Sequence, residues 1–428
     1  MNWPILILFV SMAFCFCIRM PISFSMLAAS VIYFLTSDVS QLTQVFSVIN
    51  GNTFSNYTML AAPLFIFMAN IMNESEVTDK MFAFCNGLLG KLKGGTAQVN
   101  VLLSLIFSGM TGSAIADASG IGTMEIAQMK SEGYDAPFSA AITAASATIG
   151  PIFPPSIPMI IYAMLSGASV GQLFIGGVVP GVMLAIVLAI YVGIISYKRN
   201  YPAGVIMTGK EFGMATLKAL PALLTVVILL GGIYTGVCTP TEAGALASAY
   251  ALIISTFVYR TMGLKKLWHI IKVSAANTAT LALLTGTSML FSYIVSREQV
   301  AQVIAKAVMS MTDNKYIFLL IVNIVFLFLG AVMDVSTIQL VFVPMILPLV
   351  KLMGIDLVHF GVCICFNMMI GLSTPPFGML LFIVTGISRA KISDVIREIL
   401  PMVLLMIGVL FLLVYVPQII MFLPTHMK

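Results

Sequence analysis

The chain has 428 residues, of which 60% are hydrophobic and 9% charged, with a net charge of +5. Soluble domains carry about 25% charged residues, and no soluble core buries so much apolar sequence, so the bilayer is the solvent here. The apolar runs are long and do not alternate, which excludes a closed barrel and leaves a bundle of helices.

In chain order, the apolar runs predict spans at about 3–18, 21–36, 58–72, 176–197, 220–237, 242–259, 272–295 and 401–423. The first, Trp3 to Ile18, has no basic start and no small-residue cleavage site, and is expected to be a retained helix. Amphipathic stretches at Val77–Lys93 and Leu264–Lys272 are expected to lie along the membrane surface. The six cysteines form no CxxC and mostly sit in apolar segments, so they read as small buried hydrophobes without a disulfide or metal role.

Two regions are apolar yet interrupted. Residues 97–165 contain Gly109, Gly112, Gly120, Gly122, Gly150, Pro151, Pro154, Pro155 and Pro158; residues 316–388 contain Gly330, Pro344, Pro348, Gly371, Pro375, Pro376 and Gly378. Each is too long for one span and too broken for two. Each predicts a re-entrant hairpin followed by a discontinuous helix, because irregular backbone at that depth persists only inside protein or along a cavity.

The two regions are in register. Ile149-Gly150…Pro154-Pro155 returns as Ile370-Gly371…Pro375-Pro376, 221 residues later, and Phe107-Ser108-Gly109 matches Phe328-Leu329-Gly330 at the same displacement. A lone Gly-Pro cluster is more often a kink or a close packing contact. Two clusters at one displacement point instead to a transporter built from repeats, with its site where the helices are interrupted.

Lys and Arg set the orientation. With the N-terminus outside, 16 of the 21 fall on the inner side, and only Arg297, Lys306, Lys315, Lys351 and Lys428 fall outside. The two halves then have the same order of elements and opposite direction. The expected fold is an all-α integral membrane protein with an inverted-topology repeat, two re-entrant helical hairpins and two discontinuous helices. Scaffold helices are expected at 1–96 and 219–315, transport units at 97–197 and 316–428, and a linker at 198–218.

Hairpin tips that unwind at depth offer carbonyls to a small hard cation and helix N-termini to an organic anion. Ser108, Ser113, Ser146, Ser156, Thr148 and Thr374 gather at the breaks, although each alone can simply bond its own preceding turn. Asp334 is the sharpest candidate, a lone carboxylate in the apolar stretch from Ile317 to Leu349, with helix capping as its plainer role. Asp117 resembles a helix cap, Glu242 a helix-start residue at the surface, and Asn367 either reaches the site or bridges two helices. There is no GxxxxGK[ST] loop, so energy must come from an ion gradient or a separate motor. The neutral oxygens favour sodium, with a proton-coupled organic-anion carrier as the nearest rival. An intramembrane enzyme lacks its GxGD-like or HExxH signature, and a passive channel has no use for the repeat.

Several motifs carry a family resemblance over almost the whole chain. They are Ser108-Gly-Met-Thr-Gly-Ser-Ala-Ile-Ala-Asp117, Gly133-Tyr134-Asp135, Pro154-Pro-Ser-Ile-Pro158, Gly231-Gly-Ile-Tyr-Thr-Gly236 with Thr239-Pro-Thr-Glu-Ala-Gly244, and Ile370-Gly-Leu-Ser-Thr-Pro-Pro376. At these residues the chain resembles the large, DctM-like membrane subunit of tripartite ATP-independent periplasmic (TRAP) transporters. The resemblance implies a sodium-driven, elevator-type importer of small organic acids in the bacterial inner membrane, with both termini periplasmic. It implies two partners, a small four-helix DctQ-like membrane subunit and a periplasmic DctP-like binding protein, and neither an ATPase nor nucleic acid nor a covalent cofactor. It places one sodium site on Ser108, Ser113, Gly150, Phe153 and Pro155 and a second on Gly330, Gly371, Thr374 and Phe377, with Asp334 near the ions. Ser113 and Ser156 would face substrate, along with Asp334 and Asn367. The second tip reads Met333-Asp334-Val335-Ser336 where relatives often have a proline after the aspartate.

Overall fold

The structure, a computed structural model, describes residues 3–426 apart from 38, 55–56, 76, 205–206, 301 and 304–313. Lys306 and Lys428, two of the cations expected on the outer side, lie outside the described residues. The described elements are helical. In the first half they are α1 (Trp3–Cys17), α2 (Ile22–Ser37), α3 (Thr43–Phe54), α4 (Ala61–Glu74), α5 (Val77–Leu89), α6 (Gly95–Thr111), α7 (Ala114–Ser119), α8 (Ile121–Ser131), α9 (Ala136–Ala147), α10 (Ile157–Ser166) and α11 (Val170–Arg199). In the second they are α12 (Gly209–Tyr234), α13 (Pro240–Ile253), α14 (Leu264–Arg297), α15 (Lys315–Val332), α16 (Val335–Leu352), α17 (Leu357–Leu372), α18 (Met379–Ser388), α19 (Ile392–Tyr415) and α20 (Pro417–Thr425). Among the described residues, seven helices are long and apolar enough to cross a membrane.

Three elements differ from the sequence reading. The surface stretch Leu264–Lys272 is the opening of the 34-residue α14, not a separate helix. Nothing between Gly263 and Gly286 is Gly or Pro, so the chain has no reason to stop. The last span starts earlier, at Ile392, and ends at Tyr415, where Pro417 opens a short separate helix. Helix α3 has Gln, Ser, Thr and Asn among its apolar residues, which hid it from a hydropathy reading. Its Val45 packs in a cluster with Leu8 and Met12 of α1, Met26 and Phe34 of α2, and Phe291 and Ile294 of α14.

The displacement of 221 residues maps element onto element. Ala136 opens α9 and Leu357 opens α17, each preceded by an aspartate, Asp135 or Asp356. Both pairs of helices break over the following prolines, and Pro154-Pro155 and Pro375-Pro376 both carry cis bonds. Packing repeats as well: α13 lies on α4, and its counterpart pair α2 and α14 lie together.

The direction of the two repeats can be read from α19, against which α9 and α17 both pack. The start of α9 is tied to the start of α19, since Arg199 bonds Glu398 at 2.8 Å and Asp135 at 3.3 Å. The start of α17 is tied to its other end, since the His359 ring Nε2 lies 2.9 Å from the Leu413 carbonyl. Positions 398 and 413 are about 22 Å apart along a helix at 1.5 Å per residue. Equivalent helices therefore run in opposite directions, the inverted repeat expected from the charges.

The basic end is knit by polar contacts. Lys130 Nζ donates to the Ser388 carbonyl at 2.9 Å, Lys93 to Asn200 at 3.2 Å, and Lys266 to the Glu74 carbonyl. Tyr201 donates to Asp135 at 2.6 Å; burial, then this carboxylate, pushes its hydroxyl up to about 12. Glu242 and Thr239 form a capping box, the structural role expected of Glu242. All six cysteines are free thiols.

Candidate functional site

The first tip is where α6 stops. Gly112 ends it at φ +59°, a conformation that strains any side chain, and its N–H donates to the Ser108 carbonyl at 3.3 Å. A Cβ on Gly112 would lie 2.4 Å from the Pro155 carbonyl oxygen. The tip is thus seated directly on the α9–α10 break. Gly150 supports it from that break, where a Cβ would lie 3.7 Å from Ser113 and Ala114 backbone. The Ser113 hydroxyl then caps α7, accepting from the Ala116 N–H at 3.4 Å.

The break itself ends at Ser156, whose hydroxyl donates to the Pro151 carbonyl and accepts from the Met159 N–H at 3.2 Å. Ser156 is fully buried. Phe153 packs on Gly181, and the Ser108 hydroxyl donates to Leu105 within its own helix.

The second tip has the same logic with different residues. Helix α15 ends at Met333, and Asp334 caps α16, its Oδ2 accepting from the Ser336 and Thr337 N–H groups at 2.9 and 3.4 Å. Asp334 therefore performs the capping role. Gly330 lies against Gly371 of the second break, backbone on backbone. There the Thr374 hydroxyl donates to Ile370 at 2.7 Å and Ser373 to the same carbonyl at 2.9 Å. Phe377 stays 60% exposed.

Both tips open on one cavity of about 540 Å³. It brings together Ser113 from the first half and Asp334 from the second. The first turns of α7, α10 and α16 line it, at Ala114, Ile157 and Val335. Helix starts present partial positive charge, so the wall suits an anion, while no Lys, Arg or His is among the lining residues. Gly330 and Phe377 line a second, smaller cavity of about 200 Å³ behind tip 2. Ser108, Gly150, Phe153, Pro155 and Ser156 are packed behind tip 1, and Gly371 and Thr374 beneath tip 2. Asn367 is directed elsewhere: its amide donates to the Asn323 carbonyl and Oδ1, both at 2.8 Å, and bridges α17 to α15.

Two features escaped the sequence reading. The far wall of the large cavity comes from α4 and α14, with Asn70, Asn73, Asn277 and Thr280. The available signal was an i, i+3 pair of polar residues on each of two apolar helices. Asp117 is also not the cap it resembles. Ser113 holds that position, and Asp117 points inward, 2% exposed, with neither carboxyl oxygen hydrogen-bonded.

Comparison with known proteins places this geometry. A model of the family described as "Tripartite ATP-independent periplasmic transporter, DctM component" matches residues 9–419. The sialic acid TRAP transporter large permease protein SiaM of Vibrio cholerae is 37% identical over 405 residues, 95% of each chain. The C4-dicarboxylate TRAP transporter large permease protein DctM of Pseudomonas aeruginosa is 36% identical over 87% of each chain. Among solved structures, the YdaH transporter of Alcanivorax borkumensis superposes with a TM-score of 0.68, covering 89% of this chain and 90% of that one at 15% identity. That likeness concerns the fold alone. The chain therefore belongs to the DctM component family of tripartite ATP-independent periplasmic transporters, as a multi-pass membrane permease subunit.

Proposed function

We propose that this permease imports a small organic acid by sodium symport, with an elevator movement of the two hairpins and broken helices against the remaining helices. The observation that carries the reading is the one cavity shared by both tips, lined by helix starts and Asp334 and by no basic residue. Helix starts attract the substrate carboxylate. Asp334 repels it, so a cation is needed between them. Carbonyls freed at the tips and breaks suit sodium, with Ser108, Ser113, Gly150, Phe153 and Pro155 as one set and Gly330, Gly371, Thr374, Phe377 and Asp334 as the other. Without an ion the freed carbonyls stay unpaired at depth, which disfavours closing the tips.

The substrate class follows from the relatives, whose names specify sialic acid, C4-dicarboxylates and 2,3-diketo-L-gulonate, all carboxylates. By the same reading the partners are a small membrane subunit and a periplasmic binding protein. The chain sits in the inner membrane, the hairpins re-entrant, the basic end cytoplasmic and both termini periplasmic.

The test is uptake into proteoliposomes holding this chain, its small subunit and its binding protein, with and without an inward sodium gradient. Uptake that requires sodium supports symport. Uptake driven by a pH gradient without sodium assigns the coupling to protons instead.

A further inference from the structure

Behind the first tip lies a polar network that the transport reading does not use. Glu125 of α8 is 1% exposed, and its Oε2 accepts from the Asn100 Nδ2 at 2.7 Å. The same Asn100 amide nitrogen donates to Thr143 at 2.8 Å, and its Oδ1 accepts from the Ser146 hydroxyl at 2.6 Å. All four residues are buried. The site depends on Gly122, where a Cβ would meet the Thr143 methyl at 2.7 Å; its absence lets α8 sit close on α9. Glu125 Oε1 has no hydrogen-bond partner.

Asp117 supplies an independent observation. It comes from α7, a different element, and both its oxygens are buried and unpartnered. It lies within electrostatic range of Glu125, and the Ser104 hydroxyl is alongside it without completing a hydrogen bond. The helices packed against α7 and α8 are α6, α9 and α18, with Cys85 of α5 also near Glu125. Among the described residues of α6, α9 and α18 there is no titratable side chain. Lys130, the cation of α8, is held at the far end by Ser388.

Two buried carboxylates with no cation facing them cannot both ionise, because each lacks solvation and repels the other. Glu125 has an amide donor to stabilise its charge, and Asp117 has none. We propose that Asp117 and Glu125 form a proton-binding site in the stem of the first hairpin, which holds one proton on Asp117 at neutral pH. Asp117 lies one helical turn after Ser113, so this proton fixes α7, and with it the tip, against the rest of the hairpin. A carboxylic acid there is neutral and can donate to Ser104 or Glu125. Loss of the proton puts a second charge into a dry site and loosens α7.

Infrared spectroscopy of the purified permease reads this directly and independently of sodium coupling. The expected result is a protonated-carboxyl C=O band at neutral pH that shifts in D2O, disappears in Asp117→Asn and persists in Glu125→Gln. Asp117→Asn, the neutral mimic, is expected to stay folded by thermal melting and to lose any alkaline decline of uptake seen in wild type. A band that instead vanishes in Glu125→Gln alone moves the proton off Asp117 and overturns the assignment. Absence of the band at neutral pH, with carboxylate bands that respond to sodium or potassium, overturns it in favour of a bound metal cation.

Discussion

Gly330 and Gly371 meet backbone to backbone: a Cβ on Gly371 would fall 2.6 Å from the Gly330 Cα and carbonyl carbon. No side chain fits between them, so the second hairpin docks on the second break only as glycine on glycine. Gly371→Ala must push the hairpin away, and overpacking of this kind costs about 1–3 kcal/mol. The expected outcome is a drop in uptake on the order of tenfold, which is what roughly 1.4 kcal/mol amounts to. Gly386→Ala, where a Cβ meets nothing within 4 Å, is the control and should transport normally. Unchanged uptake in Gly371→Ala at equal protein level would count against tip docking as a requirement.

Asp334 combines a cap with a charge, and two substitutions separate them. Asp334→Asn keeps a side-chain oxygen for the Ser336 N–H and removes the charge. Asp334→Ala removes both, with a capping loss of about 1 kcal/mol. If the charge serves a coupling ion, both variants lose sodium-dependent uptake, while only Asp334→Ala melts measurably lower. Full uptake by Asp334→Asn would reduce Asp334 to a cap.

Asn73 and Asn277 face the cavity from helices outside the hairpins. Asn73→Ala and Asn277→Ala are expected to raise the KM for uptake several-fold with little change in melting temperature, because a hydrogen bond to a charged group contributes about 1.5–3 kcal/mol. A fall in maximal rate at constant KM would assign them to the movement and not to binding.

Sodium is expected to order the tips. Amide hydrogen exchange over 108–115 and 330–337 should slow in sodium and not in equimolar potassium, since ion binding closes segments whose carbonyls are otherwise unpaired. Equal exchange in both salts would remove the tips from the ion sites.

The architecture was largely legible from Gly and Pro at a fixed displacement, because backbone breaks in a membrane helix need those residues and the repeat doubled the signal. Asp334 stood out because a carboxylate among apolar neighbours is rare. Helix α3 did not, since its stability comes from packing Val45 against α1, α2 and α14 and not from its own hydropathy. Asp117 read as a cap because its spacing from the tip suits one, yet Ser113 takes the cap and turns Asp117 inward. The asparagines of the far wall belong to helices about 200 residues apart, Asn70 and Asn277, and only the assembled fold sets them across from Ser113.

The missing cation in the cavity wall has an electrical consequence. With Asp334 ionised and a monoanionic substrate aboard, the protein and cargo carry two negative charges before any ion enters. Each sodium bound removes one, so stoichiometry decides whether the crossing moves net charge. A charge that crosses 100 mV gains or loses about 2.3 kcal/mol. Uptake measured at clamped voltage therefore counts the ions: indifference to voltage in the loaded step means two sodium ions per monoanion, and acceleration by an inside-negative potential means more than two.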